Sequence, residues 1–416
     1  MRNRRFVKLV TLAVPIACIG CIAGAAYLRS GNEERLALAA RSLQQREPAQ
    51  ARAALERLLW WEPDHPEALH LEGLSYAQEG DWPAAISSLS QVAADSPAHQ
   101  DAQINLAAAL LKDHQLQRAE AVLKSHLLKY PHSWVARRQW SGLLLATLRR
   151  REAVAVLEEA LELAQPFQTR AGSDAFEKTL EILRDLAVAE VEPPPAAQCL
   201  PVLQEALQRD PDQPTVRLAL AQCYGSAGQV RTAEQLFREA ADEHREVPYV
   251  RIVVSRFFVD QMDIPSASEV LFDDETSGSR LHPTMAAQLE EDDRYWEIRC
   301  RIREIAGDYE QSLGFIDRAL SIRPAETSYL SRRARLLLRL ERIPEAQRAF
   351  ARSHELARAE LDLWDLQRNL TMPRPTPAEC RRMAELYDAL GRSMTAGAWR
   401  WMAEAVSDQP AVGPNT

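Results

Sequence analysis

Four prolines recur along the N-terminal half of the chain at an almost constant spacing. Pro63, Pro97 and Pro131 are 34 residues apart, and Pro166 follows 35 residues later. A period near 34 residues is typical of a helical hairpin that is repeated and stacked on its neighbours. The spacing therefore predicts an α-helical solenoid rather than a fold built around one central core.

The composition agrees with a helical chain. Only 15 of the 416 residues are Gly, which is few for a sheet protein with many tight turns, and the abundant Ala, Leu, Arg and Glu are strong helix formers. Hydrophobic residues make up 46% of the chain and charged residues 26%, as in ordinary globular proteins. These values exclude a disordered chain and a polytopic membrane protein, and we expect an all-α fold.

The clearest copy of the repeat covers residues 214–247. Its small, apolar and aromatic residues fall at regular places, at Leu220, Ala221, Tyr224, Gly228, Ala233, Phe237 and Ala240. This pattern resembles the tetratricopeptide repeat family, whose unit is a pair of antiparallel helices. The same register gives ten units, at 32–65, 66–99, 100–133, 134–167, 180–213, 214–247, 248–281, 293–326, 327–360 and 377–410.

Turn signals that are independent of the small residues fall in the same register. Glycines stand where the first helix of four units should end in a left-handed residue, at Gly80, Gly228, Gly307 and Gly391. Prolines stand in the first turn of three second helices, at Pro83, Pro265 and Pro344. Asp81 and Asp263 precede two of these prolines as N-cap candidates. The resemblance implies a right-handed superhelical solenoid that binds peptide or protein segments on a concave surface.

Several breaks interrupt the series of repeats. We expect an insertion at 168–179, a second insertion around 282–292 that forms a solvated loop, and a hinge at 361–376. The predicted organisation is an N-terminal basic tip and anchor (1–31), a first repeat block (32–167), an insertion (168–179), a central repeat block (180–281), a segment with an insertion, two repeats and a hinge (282–376), a last repeat (377–410) and a tail (411–416).

The first thirty residues carry a targeting signal. Four basic residues precede an uncharged and mostly apolar run from Leu9 to Leu28. Twenty such residues can cross a bilayer as one helix, and the positive-inside rule keeps the basic tip in the cytoplasm. We therefore expect a single-pass protein with extracytoplasmic repeats, in the periplasm if the source is bacterial. A cleaved signal peptide with the small-x-small site at 23–25 is the alternative and would give a secreted protein. A lipoprotein signal at Cys21 is less favoured.

The segments between the repeats are too short to contain a catalytic domain. The insertions are about a dozen residues long, and neither a glycine-rich phosphate loop nor a GxSxG or HExxH motif occurs. The cysteines lack metal-ligand spacing, although a Cys199–Cys223 disulfide is an option in an oxidising compartment. We expect a non-enzymatic protein without catalytic residues, a metal or another cofactor. The net charge of −9 does not favour nucleic-acid binding.

These features predict a membrane-tethered scaffold for protein–protein interaction. The alternative is a structural component of an envelope or secretion complex. In that case Trp60, Trp61, Trp399 and Trp401 near the two ends of the solenoid would be docking surfaces, although packing against neighbouring hairpins is the favoured explanation.

The resemblance also implies which residues face the concave surface of the C-terminal units. They are Tyr249, Arg256, Arg294, Arg301, Arg332, Arg335, Arg339, Arg381 and Arg382. Guanidinium groups bind carboxylates and phosphates through paired hydrogen bonds, so this surface could hold an acidic, extended partner segment. The competing interpretation is a solvated face that the chain neutralises itself with Glu297, Glu304, Glu385 and Asp388.

Overall fold

A computed structural model describes residues 31–164, 173–190, 196–272, 281–370 and 375–407. Within these ranges the protein is all α-helical and contains no strand, which confirms the predicted fold class. The predicted membrane segment at 9–28 lies outside the described residues. None of the described helices has the length and apolarity needed to cross a bilayer.

The helices belong to two compact units, which divide after Pro131. The N-terminal unit comprises described residues 31–131, and the C-terminal unit comprises described residues 132–407. The N-terminal unit has six helices, α1 (31–44), α2 (Pro48–Trp61), α3 (Pro66–Glu79), α4 (Trp82–Ser90), α5 (His99–Lys112) and α6 (Leu116–Lys129). Each helix from α2 to α5 packs against the next one, so the stack has the serial contacts of a solenoid.

The C-terminal unit begins with four predicted repeats and then includes an additional short helix. Its first half contains α7 (Trp134–Ala146), α8 (Arg150–Ala164), α9 (Ser173–Glu190), α10 (Ala196–Arg209), α11 (Pro214–Ser226), α12 (Val230–Glu243), α13 (Pro248–Asp260) and α14 (Ile264–Phe272). Its second half contains α15 (Pro283–Glu290), α16 (Asp293–Ile305), α17 (Tyr309–Ile322), α18 (Thr327–Arg339), α19 (Ile343–Arg368), α20 (Pro377–Ala389) and α21 (Ser393–Ser407).

The turns between paired helices have the predicted conformations. All four predicted glycines have φ between 75° and 81°, the left-handed region that glycine adopts without a steric penalty. Asp81 accepts a hydrogen bond from the backbone N–H of Ala84, and Asp263 accepts one from Ser266. The local chemistry of the repeat therefore ends one helix and starts the next as the sequence predicts.

Small residues allow the two helices of a repeat to approach closely. A Cβ atom added to Gly73 on α3 would lie 2.5 Å from Cγ of Leu89 on α4, which is too close for two carbon atoms. In the repeat formed by α11 and α12, Ala233 and Ala240 are completely buried. These contacts explain why small residues recur at fixed places in the repeat.

We expect Ala233→Leu to lower the free energy of unfolding by about 1–3 kcal/mol, because the larger side chain overfills this close contact. Ala351→Leu is the matched control, since Ala351 is exposed on α19 and the same change there should be nearly neutral. Urea unfolding followed by circular dichroism would compare the variants. Equal stability of Ala233→Leu and wild type would show that the repeat register at 214–247 is wrong.

Two predicted breaks contain helix instead of irregular chain. The expected loop around 282–292 includes α15, because Leu289 is fully buried and ties the segment to the core of the C-terminal unit. The expected hinge from residue 361 begins inside α19, which extends to Arg368 because Leu363 and Ala359 bury their side chains in a core cluster. Residues 371–374 of the predicted hinge lie outside the described residues.

The C-terminal unit closes on itself. Its last helix, α21, packs against α8 and α9 near the start of the unit, and side chains of all three helices share one hydrophobic core. Trp399 is 2% exposed in this core and Trp401 packs against it. Packing therefore accounts for both C-terminal tryptophans, whereas Trp60 and Trp61 are exposed.

Candidate functional site

A cavity of about 400 Å³ opens in the C-terminal unit, along the first helices of three consecutive repeats. Residues of α11, α13 and α16 line it, and the N-terminal turn of α8 borders it. Three aromatic residues, Phe237, Tyr249 and Phe257, are among its lining residues. The cavity thus combines an apolar surface with the charged residues that α8 and α16 contribute.

Tyr249 lies between two arginines. The guanidinium carbon of Arg149 is 5.3 Å from the centre of the tyrosine ring, and that of Arg294 is 5.4 Å from it. Burial raises the pKa of Tyr249 to about 12, and the negative charge of Glu152 adds to the effect. The phenol is therefore neutral over the physiological pH range, and its ring stabilises two neighbouring cations.

Arg294 is held by carboxylates from two distant parts of the chain. Its Nη2 donates hydrogen bonds to Asp292 at 2.6 Å and to Glu152 at 3.2 Å. Asp292 also caps α16 by accepting a hydrogen bond from the backbone N–H of Arg294. The other carboxylate oxygen of Glu152 is buried without a hydrogen-bond partner, so a donor group entering the cavity could bind it.

Arg151, next to Glu152, joins the same region to α16 and α18. Its Nη1 donates to Asp293 at 2.8 Å, and the hydroxyl of Tyr329 donates to the same carboxylate oxygen at 2.6 Å. The sequence analysis missed Arg151 and Glu152. The run of three arginines at 149–151 is an available signal, but nothing local indicates that its partners lie 142 residues away.

Arg256 is the arginine of the cavity lining that the chain leaves exposed. It lies on α13 and forms no ion pair within the part of the chain that the structure describes. Four arginines and two carboxylates line the cavity, and Asp292 and Asp293 outside the lining bind two of these arginines, Arg294 and Arg151. Arg256 is exposed and remains available to bind an anionic ligand group.

The nine residues predicted to face the concave surface do not form one continuous site in the structure. The cavity brings together Tyr249, Arg256 and Arg294. Arg301 pairs with Asp260 and Glu297.

The remaining predicted arginines lie on α18 and α20. Arg332 contacts Glu304 and Glu297, and Arg382 contacts Asp362 and Glu385. Arg335, Arg339 and Arg381 are exposed. Self-neutralisation by acidic neighbours thus applies to some of the predicted arginines, and Arg256 is the one that combines exposure with a place in the 400 Å³ cavity.

A second and larger cavity of about 880 Å³ lies where α19 meets the ends of α9 and α20. Glu190, Trp364 and Arg392 are among its lining residues. Sequence analysis did not single out this region, because its walls come together only when the unit closes. Its charged residues mainly bind one another, so we regard the smaller cavity as the better candidate for a partner.

Glu297 gives a test of the electrostatics beside the candidate cavity. Burial raises the pKa of this carboxyl group, although Arg301, Arg256 and Arg332 act in the opposite direction. An acid with a raised pKa in the folded state stabilises the fold below the unfolded pKa and loses that contribution as the pH rises through the folded value. We therefore expect Glu297→Gln to increase stability at pH 7, because it removes a poorly solvated charge.

The gain from Glu297→Gln should vanish below about pH 4, where the wild-type side chain is itself protonated in both states. Thermal unfolding at several pH values would test this, with Glu385→Gln as the control because Glu385 is 65% exposed. A loss of stability in Glu297→Gln at pH 7 would show that its ion pairs outweigh its burial.

In residues 31–164, 173–190, 196–272, 281–370 and 375–407, no group of three or more His, Cys, Asp or Glu side chains is arranged to hold a metal ion. Cys199 and Cys223 form no disulfide; their thiols are in mutual hydrogen-bond contact, and burial raises the pKa of Cys223 to about 12.

Comparison with known proteins identifies the repeat type. Residues 38–112 and 196–257 match family profiles described as tetratricopeptide repeat. No curated protein matches the chain. Among solved structures, a tetratricopeptide repeat protein from Parabacteroides merdae ATCC 43184 is 14% identical, with 62% of this chain and 92% of that chain covered and a TM-score of 0.29.

Two further solved structures are similar at the same low level. PilF of Pseudomonas aeruginosa is 20% identical, with 49% of this chain and 88% of that chain covered and a TM-score of 0.26. The APC/C hetero-tetramer Cut9-Hcn1 is 11% identical, with 91% of this chain and 88% of that chain covered and a TM-score of 0.34. The family profiles thus match two segments of the chain, and in those segments they agree with the repeat type that the pattern of small residues predicted.

Proposed function

We propose that the protein is a non-enzymatic, membrane-tethered scaffold that binds acidic, extended protein segments at the 400 Å³ cavity. Tetratricopeptide repeats generally mediate protein–protein interactions, which supports the broad class. The observation that carries the specific proposal is Arg256, an exposed arginine in the lining of this cavity that has no ion pair among the described residues. A carboxylate of the partner would pair with Arg256.

The apolar part of the cavity sets a second requirement on the partner. The partly buried side chains of Val253 and Phe257 offer an apolar wall beside the arginine. Burial of apolar surface contributes about 25 cal/mol per Å², so a neighbouring aliphatic or aromatic side chain would add affinity that a charge alone lacks. The partner segment should therefore combine an acidic residue with an apolar one nearby.

A displayed library of random peptides would test the proposal without knowledge of the natural partner. We expect selection on the full chain to enrich acidic peptides with an apolar neighbour, and their binding to weaken as salt concentration rises. Arg256→Glu should weaken the selected peptides by about tenfold or more, which corresponds to about 1.4 kcal/mol or more of binding free energy.

Arg400→Glu is the matched control, because Arg400 is an exposed arginine away from the cavity, paired with Asp388. The double variant Arg332→Glu with Arg335→Glu would report whether the partner extends over the wider predicted surface. Selected peptides without acidic residues, or full binding to Arg256→Glu, would contradict the proposed site.

The proposed tether is residues 9–28, with the repeats on the extracytoplasmic side of the membrane. The basic tip followed by a long apolar run supports this arrangement. Carbonate extraction should leave the chain with the membranes, and protease added to spheroplasts should digest the repeats. Release of the repeats in soluble form would favour the cleaved signal peptide, and protection from protease would reverse the orientation.

A further inference from the structure

Two adjacent tryptophans project from the N-terminal unit into solvent. Trp60 is 72% exposed and Trp61 is 67% exposed, at the C-terminal end of α2. Their rings meet edge to face with centroids 4.6 Å apart. The other apolar residues of this helix behave differently, because Leu55 and Leu58 are buried in the core of the unit. We call Trp60 and Trp61 the tryptophan pair.

The tryptophan pair lies beside the point at which the chain enters the described structure. The side-chain amide of Asn32 donates a hydrogen bond to Glu62 at 3.4 Å, so the beginning of α1 adjoins the end of α2. Leu28, the last residue of the apolar run, is four residues before Asn32. Four residues span at most about 14 Å, even when fully extended. Any membrane that holds residues 9–28 is therefore close to the tryptophan pair.

We infer that the tryptophan pair inserts into the interfacial layer of the bilayer that holds residues 9–28, and thereby fixes the first repeat against the membrane surface. This inference rests on the proposed tether. Indole rings favour the boundary between headgroups and acyl chains, where the ring is buried and its N–H stays hydrated. The pair would form a second contact with the membrane in addition to residues 9–28. This contact would limit the rotation of the first repeat relative to the bilayer.

The charges around the pair favour a neutral lipid surface over an anionic one. Glu33, Glu34, Glu56, Glu62 and Asp64 are exposed in the same region, and Arg35 and Arg57 are basic residues there. A net negative neighbourhood gains nothing from anionic headgroups. The contact should therefore depend on the indole rings and form on zwitterionic phosphatidylcholine.

Tryptophan fluorescence can report on this contact selectively. All nine tryptophans lie after residue 30, so the apolar run itself contributes no signal. The full chain would be reconstituted into phosphatidylcholine vesicles that contain brominated lipids, which quench tryptophans in contact with the bilayer. We expect quenching by bromines near the headgroups to exceed that by bromines at the bilayer centre, and quenching to disappear in Trp60→Ser with Trp61→Ser.

Trp364→Phe is the control, because it removes a partly buried tryptophan of the C-terminal unit and should leave the quenched fraction in place. Circular dichroism of the double variant should match wild type, since the pair contributes little to the core. Vesicle flotation distinguishes failure of the proposed tether from failure of the proposed tryptophan contact. A chain that floats but shows no quenching, or equal quenching in the double variant, overturns the inference and leaves the tether intact.

A chain that does not float overturns both the tether and the inference. A third result would identify a different occupant. If wild type is a dimer in detergent and the double variant is a monomer, the pair binds a second copy of the chain, and the membrane contact is wrong.

Discussion

Arg392→Met should lower the free energy of unfolding of the C-terminal unit by about 2–4 kcal/mol, because it leaves two carboxylates without their shared cation. Arg392 donates a hydrogen bond to Glu158 at 2.7 Å and pairs with Glu190. Glu190 is 13% exposed and also accepts a hydrogen bond from Tyr387 at 2.5 Å. The guanidinium also lies 4.9 Å from the ring centre of Tyr387.

The effect of Arg392→Met should be confined to the helices that meet where the C-terminal unit closes. We expect faster amide hydrogen exchange in α8, α9, α20 and α21, with little change in the N-terminal unit. Arg400→Met is the control, since Arg400 is 51% exposed and its ion pair with Asp388 should be worth less than about 1 kcal/mol. Unchanged exchange in the α8–α9 region of Arg392→Met would mean that apolar packing alone closes the unit.

Arg294→Met should cost about 2–3 kcal/mol at neutral pH, because it removes the partner of two partly buried carboxylates. Burial alone would raise the pKa of Asp292, but the hydrogen bond and charge of Arg294 outweigh it and lower the pKa. A carboxyl group with a lowered pKa stabilises the fold above its unfolded pKa, and loses that effect as the pH falls through the folded value. The cost of the substitution should therefore shrink below about pH 4.

Chemical unfolding of Arg294→Met across this pH range would measure the effect. Arg382→Met is the matched control, because Arg382 also contacts two carboxylates but is 52% exposed. We expect a change of less than about 1 kcal/mol for that control. A destabilisation of Arg294→Met that stays constant down to acid pH would show that lost packing on Tyr249, not the ion pairs, is its cause.

The sequence alone determined the repeat and its turns. The left-handed glycines, the capping aspartates and the buried alanines act within one hairpin, so a pattern of about 34 residues contains their partners. The repeat register also predicted that Arg256 lies on the first helix of its unit. In the structure Arg256 is on α13 and lines the 400 Å³ cavity. The predicted loop at 282–292 was wrong, because the burial of Leu289 in a tertiary core favours a helix there.

Only the tertiary structure decided how the C-terminal unit uses its charges. Arg151 binds Asp293 across 142 residues, and Arg392 binds Glu190 across 202 residues. Repeat patterns predict contacts between neighbouring hairpins. The Arg392–Glu190 pair instead forms where α21 packs back onto α8 and α9, and the Arg151–Asp293 pair joins α8 to α16. The predicted arginines therefore divide into paired residues such as Arg301 and Arg332 and exposed ones that include Arg256, since a guanidinium binds whichever carboxylate the packing of the helices brings near it.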